Sequence, residues 1–233
     1  VSNNQPVSNN QSVSNNPQVS NNGTNVYNLI TNDMWLLIFP NQNQVACKTG
    51  NNNTSSILNH GNFIIACHKF PLFGKTKLEI AAFLANMTQE TYGGWETAPG
   101  GELAWGGCYG SEVSCYTDQN SNKCKQYDNP TCIGMNTNAG YYGRGPLQLT
   151  YCSNYEAAGK AIGKDLLNDP NILVNNGVVA FEAALWYWMT FNQGSCCNGV
   201  VMGKTCHDVI TIDKDFTKTI AIINGGVECN APV

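Results

Sequence analysis

Thr76-Lys-Leu-Glu-Ile-Ala-Ala-Phe-Leu-Ala-Asn-Met-Thr-Gln-Glu90-Thr-Tyr-Gly-Gly-Trp95 reads as a helix with a marked beginning and end. Ile80, Phe83, Leu84 and Met87 recur at i, i+3, i+4 and i+7, one face of a helix. Thr76, followed three residues later by Glu79, makes the signature of a capping box, in which hydroxyl and carboxyl each satisfy an amide of the first turn. Gly93 and Gly94 stop the helix. Glu90 falls in its last turn, about 80° round from Ile80, at the margin of the apolar face. Half-burial and the negative end of the helix dipole both disfavour a charged carboxylate, so a raised pKa is expected, as a general acid requires. An ordinary surface glutamate near a helix end has the same spacing, and helical position alone does not separate the two.

The same reading predicts further helices at about 60–70, 153–163, 177–190 and 215–223. The second is expected to be capped by Ser153 with Glu156 and ended by Gly163; the third carries Phe181, Ala184, Leu185 and Trp188 on one stripe. An apolar segment around Leu29–Phe39 ends at Pro40, and residues 47–60 read as a loop. Residues 93–146, rich in Gly and Cys and without periodicity, read as a long irregular region braced by disulfides. The fold expected is therefore mainly α.

Val-Ser-Asn-Asn repeats at residues 1, 7, 13 and 19, and no charge appears before Asp33. Such polar low complexity buries too little apolar surface to offset its ordering entropy, so residues 1–25 are expected to be a linker and 26–233 the folded domain. A chain of 233 residues, 42% hydrophobic, suffices for one substantial core. With 12% charged residues and a net charge of −4, it is a poor fit to nucleic acid and a better one to a neutral polar substrate. No run is long enough to span a membrane.

Eleven cysteines without paired C-x-x-C ligand motifs read as a disulfide framework and a secreted, extracellular protein. Sequons at Asn10, Asn22, Asn52 and Asn53 agree with that compartment. Cys196, Cys197 and His207 lack the further ligands of a zinc site, so neither metal nor cofactor is expected.

Downstream of Glu90 come Trp95, Trp105 and a second carboxylate, Glu112. Aromatic faces, glycine-rich backbone and two carboxyls are what hydrolysis of a glycosidic bond needs: one acid protonates the leaving oxygen and the other activates water or attacks carbon. Glu102 and Asp118 compete with Glu112 for the second role.

Ile80-Ala-Ala-Phe-Leu84, Gln89-Glu-Thr-Tyr-Gly-Gly-Trp-Glu-Thr-Ala-Pro99, Ala104-Trp-Gly-Gly-Cys-Tyr109 with Glu112, Tyr141-Tyr-Gly-Arg-Gly-Pro-Leu-Gln-Leu149, Ala161-Ile-Gly-Lys-Asp-Leu-Leu-Asn-Asp-Pro170, Trp186-Tyr-Trp-Met-Thr190, Cys206-His-Asp-Val-Ile210 and Ile222-Ile-Asn-Gly-Gly-Val-Glu-Cys229 follow one another along the chain. In this order they resemble the catalytic domain of family 19 glycoside hydrolases, the plant-type chitinases, over about residues 30–229. The resemblance implies a lysozyme-like helical fold of two lobes flanking a cleft, and endo-hydrolysis of β-1,4 bonds between N-acetylglucosamine units of chitin with inversion. It implies Glu90 as general acid, following Gln89 where many members have His, Glu112 as general base, and Thr150 in the place of a Ser that holds the attacking water. Gln148, Asn154, Asn224, Trp95 and Tyr141 are implied as substrate-binding, Arg144 and Glu228 as organisers of the site, and Cys47–Cys108 and Cys124–Cys132 as bridges. A monomer acting on chitin or its oligomers is expected, with neither nucleic acid nor membrane as partner.

Three departures touch these expectations. Pro130-Thr131-Cys132 replaces an aromatic-Cys pattern, Ser153 stands where many members have Tyr, and the sequence stops at Val233, where longer members continue with an Arg and a Cys. On that reading Cys229 lacks a partner, ten cysteines remain to pair, and Cys206 closes on one of the adjacent Cys196 and Cys197. A non-catalytic chitin-binding or wall-structural protein on the same fold is the alternative, and action on a peptidoglycan-like polymer a third reading.

Overall fold

The structure is a computed structural model that describes residues 26–49, 56–112, 114–115, 124, 140–192, 195–196, 200–201 and 203–229. The expected linker, the sequons, Asp118, Pro130 and Cys132 lie outside these residues. In chain order the elements are α1 (Val26–Leu29), α2 (Asn32–Ile38), α3 (Val45–Thr49), α4 (His60–Cys67), α5 (Lys77–Thr91), a 3-10 turn (Glu102–Trp105), α6 (Cys152–Ile162), α7 (Ile172–Asn175), α8 (Gly177–Thr190), strands β1 (Ser195–Cys196) and β2 (Val200–Val201), α9 (Cys206–Thr211) and α10 (Phe216–Glu228). The two strands pair antiparallel, Ser195 opposite Val201 and Cys196 opposite Val200. The chain is thus mainly α, as its periodicities predict.

α8 is the pillar of the domain. It packs against α4, α6, α7 and α9, and Val179 through Leu185 are all buried along with Trp188. The single stripe expected from sequence is too narrow, because a helix touched from several sides must be apolar most of the way round. Its one buried charge, Glu182, is met by Lys69 Nζ at 2.8 Å. Asn176 caps the helix by accepting the Val179 amide. Gly177 follows because a Cβ there would sit 2.1 Å from the Ile57 carbonyl oxygen of the neighbouring loop.

An aromatic core joins α8 to α2, α4 and α5. Phe63 lies 5.4 Å from Phe181 and 5.8 Å from Phe83, and Phe83 meets Trp188 edge-on at 5.4 Å. Such stacked and edge-on pairs add to the burial of large rings. A second cluster, with Tyr141, Tyr155, Leu166 and Leu173, fills the space between α6, α7 and the other side of α8.

Two helix starts differ from expectation. Thr76 does cap α5, accepting the Glu79 amide at 3.2 Å, but the Glu79 carboxylate does not return to the cap. It is fully buried and accepts from the Gly74 amide (2.8 Å), the Trp188 indole (3.2 Å) and His207 Nδ1 (2.5 Å). Two long-range donors and the nearby Gly74 amide outweigh the amide of the cap, so Glu79 ties α5 to α8 and α9 instead of closing a box. Among the described residues a capping box is closed by Thr205 with Asp208, at the start of α9. α6 begins at Cys152 rather than after a Ser153 cap; its N-cap is Tyr151, which makes no side-chain cap.

Cys47 and Cys108 are bridged, as the resemblance implies, and fix α3 to the loop after Trp105. Cys124 is bonded to Cys115 and not to Cys132. The ten-cysteine pairing also fails, since Cys67 and Cys206 are buried thiols. Cys206 sits in the first turn of α9 with its sulfur 3.9 Å from the Thr219 carbonyl, packed into the core, where burial pushes the thiol up and away from reactivity.

Candidate active site

The end of α5, the loops around residues 109–112 and 143–151, and the end of α10 enclose a cleft of about 770 Å³. Glu90, Glu112, Gln148, Thr150, Asn154, Asn224 and Glu228 all line it. Residues spread over 139 positions of the chain are thereby brought to one groove.

Glu90 reaches the cleft because α5 keeps its helical register to Thr91. Thr91 is itself buried; its hydroxyl donates to the Met87 carbonyl and accepts the Gly107 amide at 2.7 Å, while its carbonyl accepts the Tyr109 amide at 3.0 Å. Gly93 follows with φ +80, its α-carbon so close to the Tyr109 ring that a Cβ would lie 2.4 Å from it. The Glu90 carboxyl is pushed up from 4.5 to about 8, first by burial, then by the charges of Glu228 and Glu112. The direction is the one predicted, but two carboxylates from distant parts of the chain contribute where the sequence pointed to the helix dipole.

The opposite wall rests on Arg144. Its backbone forms antiparallel bridges with Ser111 on one side and Leu149 on the other, so three short segments lie side by side. Ser111, Arg144 and Leu149 are buried. Glu112, Gln148 and Thr150, their neighbours in sequence, are half-exposed and line the cleft. The Glu112 amide donates to the Gly143 carbonyl at 2.8 Å and locks the register. Ser114 donates its hydroxyl to Glu112 Oε1 at 3.0 Å, which leaves Oε2 to face other groups. Thr150 donates its hydroxyl to the Gln148 carbonyl at 2.7 Å, so its oxygen is an acceptor toward the cleft.

Arg144 itself points under this wall. Its guanidinium donates to the Gly140 carbonyl (2.9 Å) and the Tyr155 hydroxyl (2.9 Å) and stacks 3.6 Å from the Tyr142 ring centre. It is a brace beneath the ladder. Glu228, by contrast, lines the cleft and accepts from Asn224 Nδ2 at 3.2 Å. α10 breaks its helical geometry at Asn224 (φ −144), which turns that amide toward the groove. Asn154 Nδ2 donates to the Thr150 carbonyl at 2.8 Å.

Two expected sugar contacts lie elsewhere. Tyr141 is fully buried, its hydroxyl donating to the Leu167 carbonyl at 2.8 Å, so it serves the second core cluster. Trp95 packs 4.8 Å from Trp105 in a small cluster beside the Cys47–Cys108 bridge, outside the cleft lining. Of the competing acids, Glu102 sits in the 3-10 turn, likewise outside the lining. The cleft instead gathers aromatic residues that the sequence did not single out, Tyr92, Tyr109, Tyr151, Tyr187 and Phe191. They come from four separate segments, and no spacing within any one of them marks a shared surface. Among the described residues no group of three His, Cys, Asp or Glu could hold a metal ion, and no helix is long and apolar enough to cross a membrane.

Comparison with known proteins agrees with the mainly helical fold. The model of the chitinase class I family, glycoside hydrolase family 19, matches residues 29–232. Endochitinase 3 of Nicotiana tabacum is 35% identical over 88% of this chain and 61% of its own length. The inactive chitinase-like protein 1 of Hevea brasiliensis is 36% identical over 89% of this chain and 66% of its own. The chain thus spans between three fifths and two thirds of these relatives. Chitinase C from Streptomyces griseus HUT6037 superposes with a TM-score of 0.66 at 31% identity, covering 91% of this chain and 85% of that one. The class IV chitinase of Zea mays gives 0.57 at 27%, over 87% and 83%. With its mainly helical fold, its motif order and a family match running nearly from end to end, this chain belongs to glycoside hydrolase family 19.

Proposed function

We propose that this protein is a secreted, monomeric endochitinase that hydrolyses β-1,4 bonds between N-acetylglucosamine units with inversion. The observation that carries the reading is the Glu90 carboxyl, held near pKa 8 in a cleft it shares with Glu112 and Thr150. At neutral pH Glu90 keeps its proton and delivers it to the glycosidic oxygen as the bond to C1 breaks. A water between Glu112 and Thr150 gives one hydrogen bond to each: the Thr150 hydroxyl has spent its own proton on Gln148 and accepts, and Glu112 Oε2 accepts and finally takes the proton. Both water hydrogens are then occupied, and its lone pair faces C1 from the side opposite the leaving group. The sugar is inverted. An inverting pair needs room for this water, about 6.5–9.5 Å between carboxyls.

The polar lining of Gln89, Gln148, Asn154 and Asn224 suits a neutral sugar chain, and the disulfides suit an oxidising compartment. Release of oligomers from glycol chitin, with the anomer of the first product read by NMR, tests the assignment. Wild type should yield the α-anomer, and Glu90→Gln should fall by about 10³-fold. Equal rates in the two proteins, or no release by either, would sink it. Activity should also decline as pH rises through about 8, where Glu90 loses its proton.

A non-catalytic chitin-binding role is the second reading, favoured by the kinship with the Hevea brasiliensis inactive chitinase-like protein. Retention on chitin particles with no product after prolonged incubation is the outcome that selects it.

A further inference from the structure

The two carboxyls of the cleft belong to segments built separately, and Thr91 touches both. It follows Glu90 directly, closes α5 and is fully buried, outside the lining of the cleft. Its hydroxyl gives its proton to the Met87 carbonyl one turn back, so toward the neighbouring loop it acts as an acceptor. What it accepts is the Gly107 amide at 2.7 Å, while the Thr91 carbonyl accepts the Tyr109 amide at 3.0 Å. From Tyr109 the chain passes to Glu112, with the Gly110 carbonyl taking the Gly145 amide at 2.7 Å and Ser111 bridging to Arg144 on the way.

The loop is shaped to come this close. A Cβ at Gly106 would lie 2.7 Å from the Thr88 side chain and 3.0 Å from its α-carbon, so bare backbone runs flush along the last turns of α5. Gly106 and Gly107 have no side chains with which to fix their distance from the helix, and the Cys47–Cys108 bridge ties the next residue to α3 rather than to α5. The Thr91 hydroxyl supplies that fixing. Valine would fill the same volume but leave the buried Gly107 amide without its acceptor.

We infer that Thr91 is a positioning residue for the hydrolysis: by clamping the loop that leads to Glu112 onto the helix that carries Glu90, it sets the separation of the two carboxyls and the room for the attacking water. The inference rests on the chitinase reading above and adds to it a residue that acts through its neighbours, without itself facing the substrate.

The test is turnover of glycol chitin by Thr91→Val, which keeps the shape and loses the hydroxyl, by Thr91→Ser, which keeps the hydroxyl, and by Thr88→Val. Thr88 donates its hydroxyl to the Leu84 carbonyl within the helix at 2.8 Å, so this last variant measures the general cost of valine in α5. Thr91→Val should lose about 10- to 100-fold in kcat, the effect of a displacement of about 1 Å at the reacting centre, with KM within about threefold of wild type. Its decline in activity toward alkaline pH should also begin at lower pH, because a more distant Glu112 charge presses less on Glu90. Thr91→Ser should stay within about threefold of wild type in kcat, and Thr88→Val should match wild type in both readouts. A merely structural Thr91 would lower the melting temperature of Thr91→Val and leave kcat per folded molecule and the pH profile untouched. That result, or a Thr91→Ser as slow as Thr91→Val, would overturn the assignment. Should Thr91→Val not fold, Thr91→Ala against Thr91→Ser carries the same comparison. If the wild type releases no sugar, the chitinase reading falls first and this inference with it; an active wild type equalled by Thr91→Val removes this inference alone.

Discussion

The two walls of the cleft are built on different principles. The Glu90 wall is one continuous helix whose hydrogen bonds are local, anchored at its buried start by Glu79 to His207 and Trp188. The wall bearing Glu112 and Thr150 is a ladder of single bridges between residues 33 and 5 apart, held from below by one guanidinium. A helix transmits position along its own axis, so its acid is placed by registry alone. The ladder places its groups only while every long-range contact is made.

Arg144→Met should show the largest effect, because it removes the brace and leaves the buried Gly140 carbonyl and Tyr155 hydroxyl short of a donor. We expect a loss of about 3–4 kcal/mol by urea denaturation. We also expect the molecules still folded to lose at least tenfold in kcat as Glu112 and Thr150 shift. A variant with wild-type kcat would show that the bridges hold the wall unaided.

Glu79→Gln should be milder and of a different kind. The amide keeps one acceptor for three donors, Gly74, Trp188 and His207, so stability should drop by about 2 kcal/mol. Glu79 stands eleven residues before Glu90, about 16 Å along the helix. Turnover at 25 °C should therefore stay within about threefold of wild type. A parallel loss of kcat and stability would mean that the helix wall is as dependent on remote contacts as the ladder.

The same contrast explains what could be read in the sequence. α5 and α8 are visible as periodicity, because their contacts are set by residues three and four apart. The place of Glu90 in the last turn is visible for that reason, whereas its raised pKa comes first from burial and then from Glu228 and Glu112, which only the folded chain brings beside it. Arg144, Ser111 and Leu149 carry no local pattern; their partnership exists only once the chain has folded. Tyr141 and Trp95 misled for the converse reason, since an aromatic in a motif looks alike whether its ring faces a sugar or a neighbouring core. Glu79 shows a local signature overridden, a capping-box carboxyl claimed by donors from α8 and α9. The pairing of Cys124 with Cys115 over Cys132 is another choice that spacing cannot make.

The smallest effect expected is a gain, and it isolates the helix wall. Glu90 carries a folded-state pKa of about 8 against an ordinary 4.5, so between these values the folded protein holds a proton that the unfolded chain has lost. Stability contributed by that proton is complete below about pH 4.5 and declines as pH rises to about 8, beyond which the penalty is constant. At about 1.4 kcal/mol per pKa unit the penalty is bounded near 5 kcal/mol, and cleft water around a partly exposed carboxyl reduces it to about 1–2 kcal/mol. Glu90→Gln, neutral at every pH, should match the wild type in melting temperature at pH 4 and exceed it by a few degrees at pH 8. The gain should grow steadily between the two. A constant offset at all pH values would trace the change to packing of the amide and would remove the case that burial, with Glu228 and Glu112 behind it, keeps the proton on Glu90.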